Sequence, residues 1–183
     1  MSRNRFDGRW PLCRMTDALE QLRVVADYQF GAGVGAALFA PPVEVRHTSS
    51  GRPEQVLTEA GDRLVTYGVD GRFTLGAAGG LRLHAAPALA APAYRVFVGA
   101  ESDPYVREGR NAFAKFVVEV DPAIRPRDEV LVVHERALDA GAPSGGDLLG
   151  TGRARLSAEA MAAFESGVAV KIREGLTAPE TAG

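Results

Sequence analysis

Residues Ala85–Pro92 read Ala-Ala-Pro-Ala-Leu-Ala-Ala-Pro, and no other segment limits the fold as much. Each proline lacks a backbone N–H and fixes its own φ, so neither a helix nor an inner strand can run through both. The 183-residue chain therefore divides into a block at 15–84 and a block at 93–175, joined by an Ala/Pro linker at 85–92. Each block has the size of a small domain. Neither has room for a closed α/β enzyme barrel, which takes about 250 residues.

Hydrophobic residues make up 46% of the chain and charged residues 24%, the proportions of a folded globular protein. Lys+Arg number 21 against 23 Asp+Glu, so the net charge of −2 supplies no global attraction for nucleic acid or an anionic membrane. Any anion site must be local. Of the 21 basic residues only Lys115 and Lys171 are lysines; the rest are arginines. The apolar run at Gly31–Pro42 is broken by glycine and proline and falls short of the roughly 20 residues of a membrane span. The opening is basic but lacks the apolar stretch of a secretory signal, so a cytoplasmic protein is expected. The one cysteine, Cys13, excludes an internal disulfide and any multi-cysteine zinc or iron–sulfur site. His47, His84 and His134 are far apart in sequence, with no paired spacing for a metal. No cofactor and no catalytic residue are expected.

Periodicity gives an α+β reading. Residues 1–14 carry Arg3, Arg5, Arg9 and Arg14 against Asp7 and read as a disordered basic leader. A helix then starts with Thr16 or Asp17 as N-cap, and Leu19, Leu22, Ala26 and Phe30 form its apolar stripe. Gly31, Gly33 and Gly35 lack the preceding strand and glycine spacing of a dinucleotide loop. Short strands at Val43–Arg46, Gln55–Leu57, Arg63–Tyr67 and Phe73–Leu75 form an antiparallel meander, followed by a helical turn at Gly79–His84. In the second block, strands are expected at Tyr94–Val98, Asn111–Val120, Glu129–Val133, Leu148–Leu156 and Val168–Arg173. A short helix spans Asp103–Glu108 with Asp103 as cap, and another, carrying Met161 and Phe164, follows Ser157. Strands around two short helices suggest a partly closed barrel. Residues 176–183 read as a disordered tail.

The second block resembles a PUA domain, the RNA-binding module of pseudouridine synthases and the archaeosine transglycosylase. Four stretches carry the likeness in order: Tyr105–Val118, Asp121–Val130, Gly150–Ala154 and Gly167–Arg173. The first block is similar to the domain preceding PUA in archaeal tRNA-guanine transglycosylases, through Ala26–Gly31, Ser50–Arg52 and Asp70–Phe73. Together they look like the C-terminal half of that enzyme, or of the related archaeosine synthase. The resemblance implies a small helix-plus-antiparallel-sheet domain followed by a PUA-type pseudo-β-barrel. It also implies tRNA as ligand, at the acceptor stem and 3′ end, and a transglycosylase-like or archaeosine synthase-like enzyme as partner. The zinc-binding catalytic barrel of those enzymes has no counterpart in this sequence, so the chain reads as noncatalytic. The loop at His134–Asp147 is longer than the family's usual turn.

In PUA domains RNA lies in a groove between the first helix, the following strand and the last strand. The resemblance therefore implicates Arg107, Gly109, Arg110, Asn111, Phe113, Lys115, Lys171 and Arg173. Strand alternation supports part of this set independently. With Val168, Val170 and Ile172 inward, Lys171 and Arg173 face out about 6–7 Å apart. With Ala112, Ala114, Phe116, Val118 and Val120 inward, Asn111, Phe113 and Lys115 face out. An exposed ring beside a cation suits single-stranded RNA, one stacking on a base and the other binding phosphate. Two other readings stay open: a ribosomal-RNA-binding translation or ribosome-assembly factor, and a module that docks a catalytic tRNA-modifying subunit.

Overall fold

The computed structural model describes residues 10–140 and 145–177, with side chains from Ala18 onward. Residues 1–9 of the expected leader and 178–183 of the expected tail lie outside the described residues. Helix α1 spans Trp10–Phe30, so it starts before the expected cap at Thr16 or Asp17 and takes in the end of the leader. Pro11 falls in its first turn, where the missing N–H would have no helical partner anyway. Leu22, Ala26 and Phe30 are buried along one face, as the stripe requires. The Asp27 carboxylate accepts the Gly35 N–H at 2.6 Å and so fixes α2 (Val34–Leu38) against α1.

Strands β1 (Val43–His47), β2 (Pro53–Thr58), β3 (Arg63–Tyr67) and β4 (Phe73–Leu75) form an antiparallel sheet in chain order. Helix α3 (Ala77–His84) follows. The second block comprises β5 (Arg95–Val98), α4 (Asp103–Arg107), β6 (Ala112–Phe113), β7 (Val117–Val120), β8 (Glu129–His134), β9 (Leu148–Ala154), α5 (Ala158–Ala163) and β10 (Val168–Gly175). Its six-stranded sheet has the order β6-β10-β9-β8-β5-β7, with only β5 and β8 parallel.

The expected single strand at Asn111–Val120 is broken by a 3-10 turn at Ala114–Phe116. β6 pairs with β10 at one edge of the sheet, whereas β7 pairs with β5 at the other. One turn of chain thus brings the two edges together and closes the barrel. The turn also shifts the side-chain parity. Ala112 and Ala114 are buried as expected, but Val118 is 55% exposed instead of inward. Three smaller expectations are corrected. Ser102 rather than Asp103 is the α4 N-cap, because the Asp103 carboxylate pairs with Arg107 one turn on. Phe164 ends α5 on the surface while Met161 is buried. Leu176, the first residue of the expected tail, is docked by its N–H on the Leu149 carbonyl at 2.8 Å.

Strand β8 joins the two blocks. Leu131 and Val133 pack into a core with Phe30, Leu75 and Leu83 of the first block. Val130 and Val132, on the alternate face, enter the barrel core with Met161 and Ile172. Burial on both faces explains why the strand reads as a continuous apolar run. Glu129, at its start, is buried and accepts the Leu75 N–H at 3.2 Å. α3 is wedged between the sheets. A Cβ on Gly79 would lie 2.0 Å from the Leu64 carbonyl oxygen of β3, and one on Gly80 2.3 Å from Thr151 Cγ2 of β9.

The Ala/Pro segment is packed rather than loose: Ala86 and Leu89 are buried. The guanidinium of buried Arg95 donates to the carbonyls of His84, Leu89 and Ala93 at 3.0–3.3 Å. Burial pushes its pKa down. Tyr94 adds a second tie, donating its hydroxyl to the Gln29 carbonyl at 2.5 Å and meeting Phe30 edge to face at 5.5 Å. Its backbone has φ 58°, held by an N–H donated to Asp121 at 2.8 Å.

Two tests follow from these contacts. Helix propensity alone would make Gly79→Ala stabilising by about 1 kcal/mol, but forcing a methyl against fixed backbone costs about 1–3 kcal/mol. The net loss of up to about 2 kcal/mol should lower the melting midpoint by up to roughly 8 °C; a midpoint above native would show α3 to be loosely seated. Burial, then the nearby Asp128 and Asp121 carboxylates, raise the Tyr94 pKa above its ordinary value near 10. The stability this adds is complete below pH 10 and is lost as pH rises through the folded-state value. Chemical denaturation measured at pH 8 and above pH 10 should show the loss in native protein and a smaller one in Tyr94→Phe.

Candidate nucleic-acid interface

α4 is too short to stand alone and is fixed at both ends. Pro104 occupies its first turn. At its end the Gly109 N–H meets the Val106 carbonyl at 2.9 Å and the Arg110 N–H meets the Tyr105 carbonyl at 2.8 Å. This is a Schellman closure, and it requires the positive φ of 82° that Gly109 adopts. The reversal directs Arg110 and Asn111 back over the helix toward β6.

The result is an open cavity of about 380 Å³ between α4 and the β6–β7 corner. Ser102 and Val106 contribute to its lining, along with Asn111. Tyr105, Phe113 and Phe116 give it aromatic surfaces, with Tyr105 and Phe113 about half exposed. Two cations stand among them. The Arg110 guanidinium lies 5.6 Å from the Tyr105 ring centre, and Lys115 Nζ lies 4.6 Å from that of Phe116. Arg110 also pairs with Glu108 at 3.3 Å, but both side chains are over half exposed and the pair contributes little. Lys115 has no carboxylate partner among the described residues. Flat rings for base stacking therefore stand beside donors for phosphate, without a buried charge to displace.

The structure brings Arg110, Asn111, Phe113 and Lys115 together, with Gly109 at the turn beside them. It removes Arg107 from this group. That side chain is 11% exposed and inward, pairing with Asp103 at 2.7 Å and donating to the carbonyls of Leu176 and Gly146. The reason is the contact with Asp103, one helical turn earlier, together with the two carbonyls. Lys171 and Arg173 do not line the cavity. They sit on the outer face of β10, where Lys171 is opposite Arg153 and Arg173 donates to Glu129 at 3.3 Å. Sequence reasoning missed Tyr105 and Phe116. Tyr105 is five residues before Arg110, the span of the closure just described. Among the described residues no group of His, Cys, Asp and Glu is placed to hold a metal, and no helix is long and apolar enough to cross a membrane.

Comparison with known proteins agrees with this architecture. Residues 20–88 match the patch-forming domain C2 of tRNA-guanine transglycosylase, and residues 94–176 match the PUA domain. The tRNA-guanine(15) transglycosylase of Pyrococcus furiosus is 44% identical over 161 residues, covering 87% of this chain and 25% of that protein. That of Methanothermobacter thermautotrophicus is 41% identical over 162 residues, covering 87% and 23%. The chain thus spans about a quarter of the length of these relatives. Among solved structures, a hypothetical protein of Pyrococcus horikoshii superposes with a TM-score of 0.63 at 20% identity, covering 87% of this chain and 90% of that one. A PUA domain protein of Aeropyrum pernix superposes at 0.57 and 16%, covering 86% and 80%. These two likenesses concern the fold. By sequence, the chain is a patch-forming C2 domain followed by a PUA domain, an RNA-binding module, and is homologous to the C-terminal regions of the archaeal tRNA-guanine(15) transglycosylases.

Proposed function

We propose that this chain binds tRNA without acting on it chemically, holding the acceptor stem and unpaired 3′ end in support of archaeosine-type tRNA modification. The observation that carries the reading is the open cavity between α4 and the β6–β7 corner, where three rings and two cations converge on a PUA domain. Arg110, Asn111, Phe113 and Lys115, with Gly109 beside them, form the contact set for the unpaired end. Phe113 stacks a base, Lys115 and Arg110 take phosphates, and Asn111 offers both a donor and an acceptor to a base edge. The catalytic step falls to a transglycosylase-like or archaeosine synthase-like enzyme as partner.

A docking role toward that catalytic chain has its own support. Val24, Tyr28 and Val69 are 68%, 94% and 93% exposed. Tyr28 and the Asp70–Arg72 turn line one shallow cavity, with Val69 next to that turn in the chain and Val24 one helical turn before Tyr28. It lies on the C2 domain, away from the cavity that carries the RNA reading.

Titrating the protein with tRNA bearing an intact CCA end, and with tRNA trimmed of its unpaired nucleotides, tests the first reading. Phe113→Ala should weaken binding of the intact tRNA by roughly 5- to 150-fold, the loss of about 1–3 kcal/mol of stacking, and leave the trimmed tRNA nearly unaffected. Lys115→Ala should lower the salt dependence by about 0.7 in logarithmic slope. Equal affinity of native and Phe113→Ala protein for both tRNAs would remove the cavity from the site. For the docking role, Tyr28→Ser should abolish co-purification with a transglycosylase catalytic chain while tRNA affinity is kept; undiminished co-purification would exclude that face.

A further inference from the structure

The outer face of the barrel carries a second concentration of positive charge, outside the cavity between α4 and β6. Register places Lys171 of β10, Arg153 of β9 and Glu129 of β8 side by side in one row across three strands. The opposite face of these strands is the barrel core, with Val130, Ala154, Val170 and Ile172 buried. Glu129 is 2% exposed and accepts from Arg153 Nε at 3.0 Å and Arg173 Nε at 3.3 Å. One carboxylate thus faces two guanidinium groups, leaving a net positive charge. Both contacts use Nε, so the terminal nitrogens of Arg153 and Arg173 make no hydrogen bond among the described residues. Each is a held fork with its outer prongs free, the geometry suited to phosphate oxygens.

The turn leading into β8 extends the row. The Asp128 N–H bonds the Arg125 carbonyl at 3.1 Å, with Pro126 and Arg127 between them. Arg127 has φ 81°, so this is a type II turn with an arginine at the position that glycine or asparagine occupies at least strain. The strained residue is exposed, and its side chain has no hydrogen-bond or ion-pair partner among the described residues. Its N–H donates to the Ala154 carbonyl at 2.8 Å, which sets it beside Arg155. Arg155 is likewise exposed and unpaired, and its N–H donates to the Ala169 carbonyl of β10. An exposed, unpaired arginine held in a strained backbone conformation points to a role outside folding.

We propose that Arg127, Arg153, Arg155, Lys171 and Arg173, arranged around buried Glu129, bind the phosphate backbone of a paired RNA stem. The inference rests on the RNA-binding reading above but assigns a different surface to a different part of the ligand. Successive outward side chains of β10 lie about 6–7 Å apart, close to the separation of neighbouring phosphates. No ring is exposed in the row, so it can follow a duplex backbone but not stack on unpaired bases.

A blunt RNA duplex, which has no unpaired end, is the probe, with binding to the full chain followed by fluorescence anisotropy between 50 and 200 mM salt. The Arg127→Gly/Arg155→Ala/Lys171→Ala variant should bind the duplex about tenfold or more weakly, with the logarithmic salt slope smaller by about 3. Arg127→Gly alone should weaken binding while its melting midpoint stays at or above native, because glycine relieves the turn. Native affinity and slope in the triple variant would overturn the proposal. If Phe113→Ala loses affinity only for RNA with a 3′ overhang while the triple variant is unaffected, the row falls and the cavity reading stands. The reverse pattern keeps the row and removes the cavity. A native chain that binds neither RNA sinks both.

Discussion

The carboxylate of Glu129 is the contact on which both the joining of the domains and the outer cationic face depend. It is buried, so removing its arginine partners would strand an uncompensated charge away from water, which is destabilising. One oxygen holds Leu75 of the C2 sheet and the other holds Arg153 and Arg173 of the PUA barrel. The two domains therefore meet at the residue that sets the spacing of the arginine forks. A second acid repeats the device nearby: Glu174 pairs with Arg63 and accepts the Ala77 N–H at 2.6 Å. Apolar burial along β8 supplies the bulk of the association, and these carboxylates fix its register.

Much of the fold was legible because the chain follows simple periods. The stripe of Leu22, Ala26 and Phe30 came through intact, as did the alternation from Val170 to Arg173 in β10. The strand at Asn111–Val120 misled because a 3-10 turn leaves no compositional mark: Ala-Lys-Phe suits a strand equally well. Only the need to close the sheet makes the chain leave one edge and rejoin the other. The start of α1 was missed for a different reason, since arginine content and lack of an apolar stripe hid a segment opened by Pro11.

For the candidate site, alternation put Asn111, Phe113 and Lys115 on one face and the resemblance to PUA domains added Arg110, and these four line one cavity. Sequence reasoning failed where competition among side chains decides. Arg107 is drawn inward by Asp103 and by two carbonyls, and Arg173 by Glu129, and neither preference is visible without the contacts. Arg153 and Arg155 were overlooked because β9 carries glycines at 150 and 152, which blur the inward and outward positions that alternation would assign.

The corner at Ala114–Phe116 has a consequence for the molecule in time. Its flanking strands pair with β10 and β5, partners distant in sequence on either side, so this seam costs much chain entropy to form. Lys115 and Phe116 lie on the same seam and line the cavity. The cavity proposed for the unpaired RNA end is thus assembled by the step that zips the barrel shut, and a guest seated there would engage only the zipped form. By mass action, occupancy would then guard the seam against fraying and proteolytic attack, coupling the lifetime of the fold to the supply of its ligand.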